Sequence, residues 1–293
     1  AVQIDSWEPN DPSNGPNEMP EQLTWRDAMA LRARAPDYAQ LAMFRSYMVI
    51  ESQQQEDLIR QEGVRITGRD FFAVFDLGFE YGGTWSQAME DRADRVTVLS
   101  YELNQELFGG ENSVGRNLRI EDQNFQIVGV TKPWHPTPKF HDLNNGPYNE
   151  LETFYIPITL SVPMEIETYG NTNCWKPEEG EGYAAIVNSE CVWLQYWVQL
   201  DNPAAKDEYQ QFLEAYFDEQ KELGRFQRPR KVALNSVTEW MTLNEVVGND
   251  SKVLLGLAFM FLAVCVFNTI GLLLTKFLGR SKETSIRRAL GAT

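Results

Sequence analysis

Two histidines and three cysteines carry most of the chemistry open to this chain, and their spacing narrows it sharply. His135 and His141 share one proline-rich loop, "KPWHPTPKFHDLNNGPY", with Asp142 beside the second. Two imidazoles and a carboxylate are metal-ligand chemistry, but a zinc centre needs three or four ligands at fixed angles. No third clear ligand stands among these prolines, so the loop reads as solvated and no metal is expected. Cys174 and Cys191 have no nearby histidine to take a thiol proton, which weakens a nucleophile reading. "FGGENSVG" lacks the Gly-Lys-Ser/Thr ending whose lysine reaches nucleotide phosphates, and neither G-x-S-x-G nor H-E-x-x-H occurs. The acids of "KPEEGEGY" read as a solvated loop. No catalytic residue and no cofactor is therefore assigned, and the chain is not read as an enzyme.

Cys174 and Cys191 bound a polar, glycine-rich stretch, "CWKPEEGEGYAAIVNSEC". Outside the cytoplasm they would close it as a disulfide worth roughly 3 kcal/mol in the chain-entropy picture; inside, they would be two free thiols. Which applies depends on where the chain lies. The charge distribution answers that. Of 42 acidic and 26 basic residues, the last 45 positions hold only Asp250 and Glu283 against Lys252, Lys276, Arg280, Lys282, Arg287 and Arg288. The first 248 residues are strongly acidic, which excludes a nucleic-acid partner there because phosphate binding needs a basic footprint.

From Val253 to Thr275 no side chain is charged. At 1.5 Å per residue a helix of that length crosses about 30 Å of hydrocarbon. Its C-terminal flank is basic, so by the positive-inside rule that end is cytoplasmic and residues 1–248 lie outside, in the periplasm or its equivalent. The disulfide is the expectation that follows. Asn268 and Gly271 are small or polar members of the span and mark helix packing. A domain delivered outside needs a signal or anchor helix upstream, and one is expected before Ala1.

These segments are positioned by a mixed α+β domain. The opening twenty residues read as an extended lead-in. "EQLTWRDAMALRARA" has helical spacing, "LAMFRSYMVI" and "EDLIRQEGVRIT" read as strands, and a short helix begins near Arg69 and Asp70. "RVTVLS" is a strand and "YELNQELFGG" a helix stopped by glycines. "NLRIEDQNFQIVGV" is a hairpin turning through 121–124. After a loop-heavy middle, "CVWLQYWVQL", "NPAAKDEYQQFLEAYFDEQKEL" and "RKVALNSVTEW" read as a β-α-β unit with its helix on one face of a sheet. Trp193 and Trp197, four apart on one strand, are expected to face the same side as core. Trp134 and Trp175 are further aromatics that could line a groove. The fold class is α+β, two-lobed, followed by one transmembrane helix.

Two stretches carry a resemblance. "VRITGRDFFAVFDLGFEYGGTWS", then "RVTVLSYELNQELFGGENSVGRNLRIEDQNFQIVGV", resembles the periplasmic core domain of MacB-like ABC transporter permeases. "NTIGLLLTKFLGRSKETSIRRALGAT" is similar to the start of the FtsX-like permease region, with its signature at Arg280, Glu283, Arg287, Arg288, Ala289, Gly291 and Ala292. The resemblance implies an extracytoplasmic core domain over 1–248, a second transmembrane helix over 249–278 and a coupling segment over 279–293. Permeases of this family have four transmembrane helices, so the chain would be the middle of one. It implies a cytoplasmic ABC ATPase, separate or fused, a second permease copy or paralogue, and a periplasmic adaptor as partners, with membrane lipid around the helix. Arg280, Glu283, Ile286, Arg287, Arg288 and Gly291 would couple to the ATPase, whose motion moves the outer domains for export or efflux. Basic residues that only anchor to anionic lipid are the plainer reading. The 132–191 loop is longer and more acidic than the family pattern, which leaves the partner open. An extracytoplasmic ligand sensor signalling through one helix fits the same charge and length pattern.

Overall fold

The computed structural model describes residues 1–9, 15, 18–51, 59–176, 180–246 and 249–291. They form two compact units, Ala1–Trp240 and Met241–Thr293. The first unit is built on β1 (Val2–Ile4), α1 (Trp25–Arg34), β2 (Gln40–Glu51), β3 (Ile59–Thr67), α2 (Phe71–Val74) and β4 (Phe79–Gly82). There follow α3 (Gln87–Asp91), β5 (Val96–Leu99), α4 (Tyr101–Phe108), β6 (Asn117–Ile120), β7 (Gln123–Thr131) and β8 (Phe154–Pro157). α5 (Tyr183–Asn188), β9 (Gln195–Val198), α6 (Pro203–Glu222), β10 (Val232–Leu234) and α7 (Val237–Leu243) complete it. The fold is α+β.

Local chemistry sets the boundaries. Thr24 caps α1 by accepting from the Asp27 N–H, Ser100 caps α4 through Leu103, and Asn202 caps α6 through Ala205 with Pro203 as its first helical residue. Gly109, at φ +63°, ends α4 in the left-handed conformation. In the β6–β7 hairpin Ile120 pairs with Gln123, so the loop is only Glu121 and Asp122, both at positive φ, the backbone of a type I′ turn. β4 crosses β7 closely at Gly82 and Gly129. A Cβ on Gly82 would sit 2.2 Å from the Val128 carbonyl oxygen and one on Gly129 2.3 Å from that of Gly83.

Eight strands form one sheet in the order β3-β8-β5-β7-β6-β2-β9, with β4 beside β7. β2 also pairs with β3 over Met43–Glu51, so six of the strands close into a ring. β3–β8 and β5–β7 are parallel; the other pairings are antiparallel. Alternation along β2 divides the two faces. Ala42, Phe44, Met48 and Ile50 join one buried cluster with Ala28 and Leu31 of α1, Leu103 and Leu107 of α4, and Tyr209, Leu213 and Phe217 of α6. Arg45 points the other way, toward Glu152.

Four expectations are corrected here. Residues 2–4 are not lead-in: they form β1, which pairs with β10 across the length of the unit. β9 and β10 do not share a sheet, since β9 joins β2 while β10 pairs only with β1. "RKVALNSVTEW" is strand only to Leu234; its second half turns into α7, which Ser236 begins by accepting from the Glu239 N–H. Trp193 and Trp197 face opposite sides, because residues 191–194 pair irregularly, Leu194 with Leu23, and break the strand's phase. Trp193 packs on Phe44 and Trp25, and Trp197 on Phe75 and Phe140. Residues 10–14 of the lead-in, 56–58 of the second strand and 177–179 of the acidic run lie outside the described residues.

Candidate functional site

The sheet face opposite the helices holds charge where a core would hold carbon. Arg65, central on β3, is fully buried and in register with Arg45 on β2. Its Nη2 lies 2.6 Å from Asp142 Oδ2 and 2.8 Å from Glu152 Oε1. Lys139 Nζ donates to Glu152 Oε1 at 2.7 Å, and Arg45 Nε lies 3.4 Å from the same oxygen. Gln195 and Asn145 donate to Asp142 at 2.9 and 2.8 Å. Burial alone would raise both carboxyls, but Arg65 overcomes it, holding Asp142 below its ordinary value and, with Lys139, Glu152 down to about 2. Burial pulls the Lys139 ammonium down. Every charge here answers another, so the network clamps the 132–152 segment to the sheet and offers no free acid or base.

His141 lies beside it and is also buried, so the reading of a solvated histidine loop is wrong for His141 and Asp142. The reason is aromatic packing. Its ring packs at a tilt on Trp134, 5.0 Å between centroids, and touches Phe71, Phe75 and Phe140 at 5.5–5.8 Å, with neither ring nitrogen hydrogen-bonded among the described residues. Burial, then Arg65, pushes its pKa down to about 3. His135 stays exposed and pairs with Glu102 at 3.1 Å. No three His, Cys, Asp or Glu side chains gather as a metal site among the described residues.

His135 and Glu102 stand at a cleft of about 430 Å³. Trp134, Pro147, Leu151 and Tyr155 give it apolar walls, and Glu102, Glu150 and Glu152 supply its charged groups. Trp134 therefore packs on two buried rings, Phe71 and His141, and lines a cleft as well. Trp175 lines a different depression, beside Arg225 and Glu190.

Cys174 and Cys191 are bonded across a separation of 17 residues. Asn173 and Val192 exchange both backbone hydrogen bonds next to them, at 3.0 and 2.9 Å. Cys191 is buried and Cys174 exposed, so a reductant has access from one side. Cys174→Ala/Cys191→Ala is expected to lower stability by roughly 3 kcal/mol, measured as a shifted guanidinium midpoint with unchanged slope. Full reduction without such a shift would remove the bond from the stability account.

In the second unit, α8 (Asn249–Ala289) is one uninterrupted helix of 41 residues, roughly 60 Å long. From Val253 to Leu274 its large apolar side chains are exposed, as a surface made for lipid requires. Asn268, Gly271 and Thr275 recur at helical spacing on one face, and Thr275 returns its hydroxyl to the Gly271 carbonyl at 2.7 Å. The helix runs on past Gly279 through Arg280, Ile286, Arg287 and Arg288. Arg280 and Arg287 are seven apart and share a face. Gly291, at φ +74°, follows the last turn, its N–H on the Arg288 carbonyl. Of Glu283 only the backbone is described, and Ala292 and Thr293 lie outside the described residues.

The family model for the MacB-like periplasmic core domain matches residues 1–216. The chain belongs to this family. The match to the MacB-like core domain covers the eight-stranded sheet, the ionic network and most of α6. Curated relatives include the pyoverdine export ATP-binding/permease proteins PvdT of Pseudomonas aeruginosa, 34% identical over 61 residues, and of Pseudomonas syringae pv. syringae, 39% identical over 61 residues. Those stretches are 21% and 20% of this chain and 9% of each relative, so the matched part is a small share of their length. Among solved structures, the periplasmic region of MacB from Actinobacillus actinomycetemcomitans has a TM-score of 0.46 at 12% identity, over 85% of this chain and 92% of that one. The extracellular domain of the ABC-type transporter YknZ from Gram-positive bacteria has 0.48 at 12%, over 80% and 100%.

Proposed function

We propose that this MacB-like core domain, with its helix, is the outer and second-helix part of an ABC transporter permease. In this reading it transmits work done by a cytoplasmic ATPase to the extracytoplasmic side. The observation that carries the proposal is the family match over 1–216 followed in the same chain by a helix long enough to span the bilayer with a basic end beyond it. The apolar span offers little to a polar substrate, so the helix moves and the substrate stays on the outer side. Residues 1–248 then lie outside, and 279–293 rest on the ATPase, separate or fused. A second permease copy or paralogue packs at the Asn268 and Gly271 face, and a periplasmic adaptor meets the outer domain. Export or efflux is the use to which such motion is put.

Arg287 and Arg288 give the test. In the full-length permease with its ATPase, replacing both by Gln is expected to lower coupled ATP hydrolysis by about tenfold or more while membrane insertion is unchanged. That loss corresponds to about 1.4 kcal/mol or more of lost coupling. Equal coupled turnover in a correctly inserted double variant would assign these arginines to lipid anchoring alone.

A further inference from the structure

The cleft beside the ionic network carries no lysine or arginine among its lining residues. Two of its acids, Glu102 and Glu150, are open to solvent, and neither meets an arginine or lysine ion pair among the described residues. Glu152, at its floor, is already matched by Arg65 and Lys139. The walls are Trp134, Pro136, Pro147, Leu151 and Tyr155. Tyr155 is 97% buried by its 3% exposure, packs its ring against Phe71 and Phe72, and lines the cleft with a hydroxyl that takes no partner among the described residues. The hydroxyl is open to the cleft, where a ligand's polar atom can take the place of water.

We infer that this cleft is a binding site for an organic cation with an apolar ring or chain. The ammonium sits between Glu102 and the face of Trp134, where a carboxylate and an indole quadrupole both attract it. The apolar body lies on Pro147, Leu151 and the Tyr155 ring, and a polar atom on it meets the Tyr155 hydroxyl. A volume of about 430 Å³ falls in the range of small-molecule sites. An anion is excluded, since nothing cationic lines the cleft except His135, which already serves Glu102. The inference rests on the cleft and not on the transporter reading: the site keeps its chemistry whether or not the helix is coupled to an ATPase.

The test uses the full chain in lipid nanodiscs and three probes of one shape: 2-phenylethylammonium, 2-phenylethanol and phenylacetate. Binding is followed by calorimetry and by tryptophan fluorescence, with empty nanodiscs subtracted. The cation is expected to bind at least tenfold tighter than the alcohol, and phenylacetate not at all. Glu102→Gln should erase the cation's advantage while leaving the alcohol's affinity alone. Trp134→Phe keeps an aromatic ring against His141 and should weaken the cation several-fold more than the alcohol. Tyr155→Phe tests the hydroxyl without emptying the core, and should weaken the alcohol several-fold. Equal affinity for cation and alcohol, no saturable binding of either, or a cation preference that survives Glu102→Gln in folded protein would each overturn the assignment.

Discussion

Replacing Arg65 with Met is expected to lower the stability of the outer domain by about 3–5 kcal/mol. Methionine fills most of the volume, so lost packing is a minor part of the effect. What remains is Asp142, fully buried, with only the neutral amides of Gln195 and Asn145 on its oxygens, and Glu152 left to Lys139 and Arg45. A carboxylate without its cation must be desolvated for nothing or take up a proton. Denaturant unfolding followed by tryptophan fluorescence measures the loss. Adding Asp142→Asn to the same protein should recover much of it, because the penalty comes from the orphaned Asp142 carboxylate and not from the missing guanidinium, while Glu152 keeps Lys139 and Arg45. A loss under about 1 kcal/mol would mean that water reaches the network and solvates it, as at exposed ion pairs.

The second large effect is a dependence on pH to which one buried residue, His141, contributes. The pKa of His141 is held down at about 3, against an ordinary value of 6.5. A histidine that resists protonation in the fold takes a proton more readily when unfolded. The contribution of His141 is thus full above pH 6.5 and falls as pH drops toward 3, by up to about 1.4 kcal/mol per pH unit. Asp142 and Glu152 have the opposite preference for charge but the same sign of slope, since their depressed values favour the fold above 4.5 and that support fades as pH falls toward 2. Of the cations that act on His141, the Arg65 guanidinium stays protonated throughout this range, and burial lowers Lys139. Burial also lowers the Ala1 amino group to about 4 and raises Asp5 and Glu21, so a variant of His141, and not the pH interval, isolates this residue. Stability measured at pH 6.5 and 4.5 should fall by less in His141→Phe, which keeps a ring among Phe71, Phe75, Phe140 and Trp134, than in the wild type. A slope unchanged in that variant would assign the acid sensitivity elsewhere.

Patterned segments were legible in advance. The β6–β7 hairpin announces itself by alternation on both arms, α6 by the stripe of Tyr209, Leu213, Tyr216 and Phe217, and the long apolar helix by an absence of charge. Family resemblance, carried by the "FGG" and hairpin stretch, pointed to the MacB-like core domain that the match over 1–216 shows. The ionic network was not legible. Arg65 sits between Val64 and Ile66, and an arginine that alternates with apolar neighbours reads as solvent-facing. Its burial comes from Asp142, 77 positions later, on a loop whose prolines and histidine suggest exposure. β1 failed for a similar reason: three residues carry no period, and their partner β10 lies at the far end of the unit. What escaped was long-range and polar, where a strand's neighbours are chosen by the fold and not by the local pattern. One signal was available. Lys139, Asp142 and Glu152 bring both signs of charge into an aromatic-rich segment, which is unusual for a stretch meant only to be solvated.

The unbroken course of α8 determines how force can travel in it. Hydrogen bonds run from Asn249 to Ala289 without a proline, and its glycines, Gly256, Gly271 and Gly279, interrupt none of them. Such an element behaves as a stiff rod. A push at the basic end is delivered at the other as the same displacement, and a twist as the same angle, with little taken up by bending along the way. A joint at Gly279 would have let the basic end rock by itself; this helix has no slack to lose.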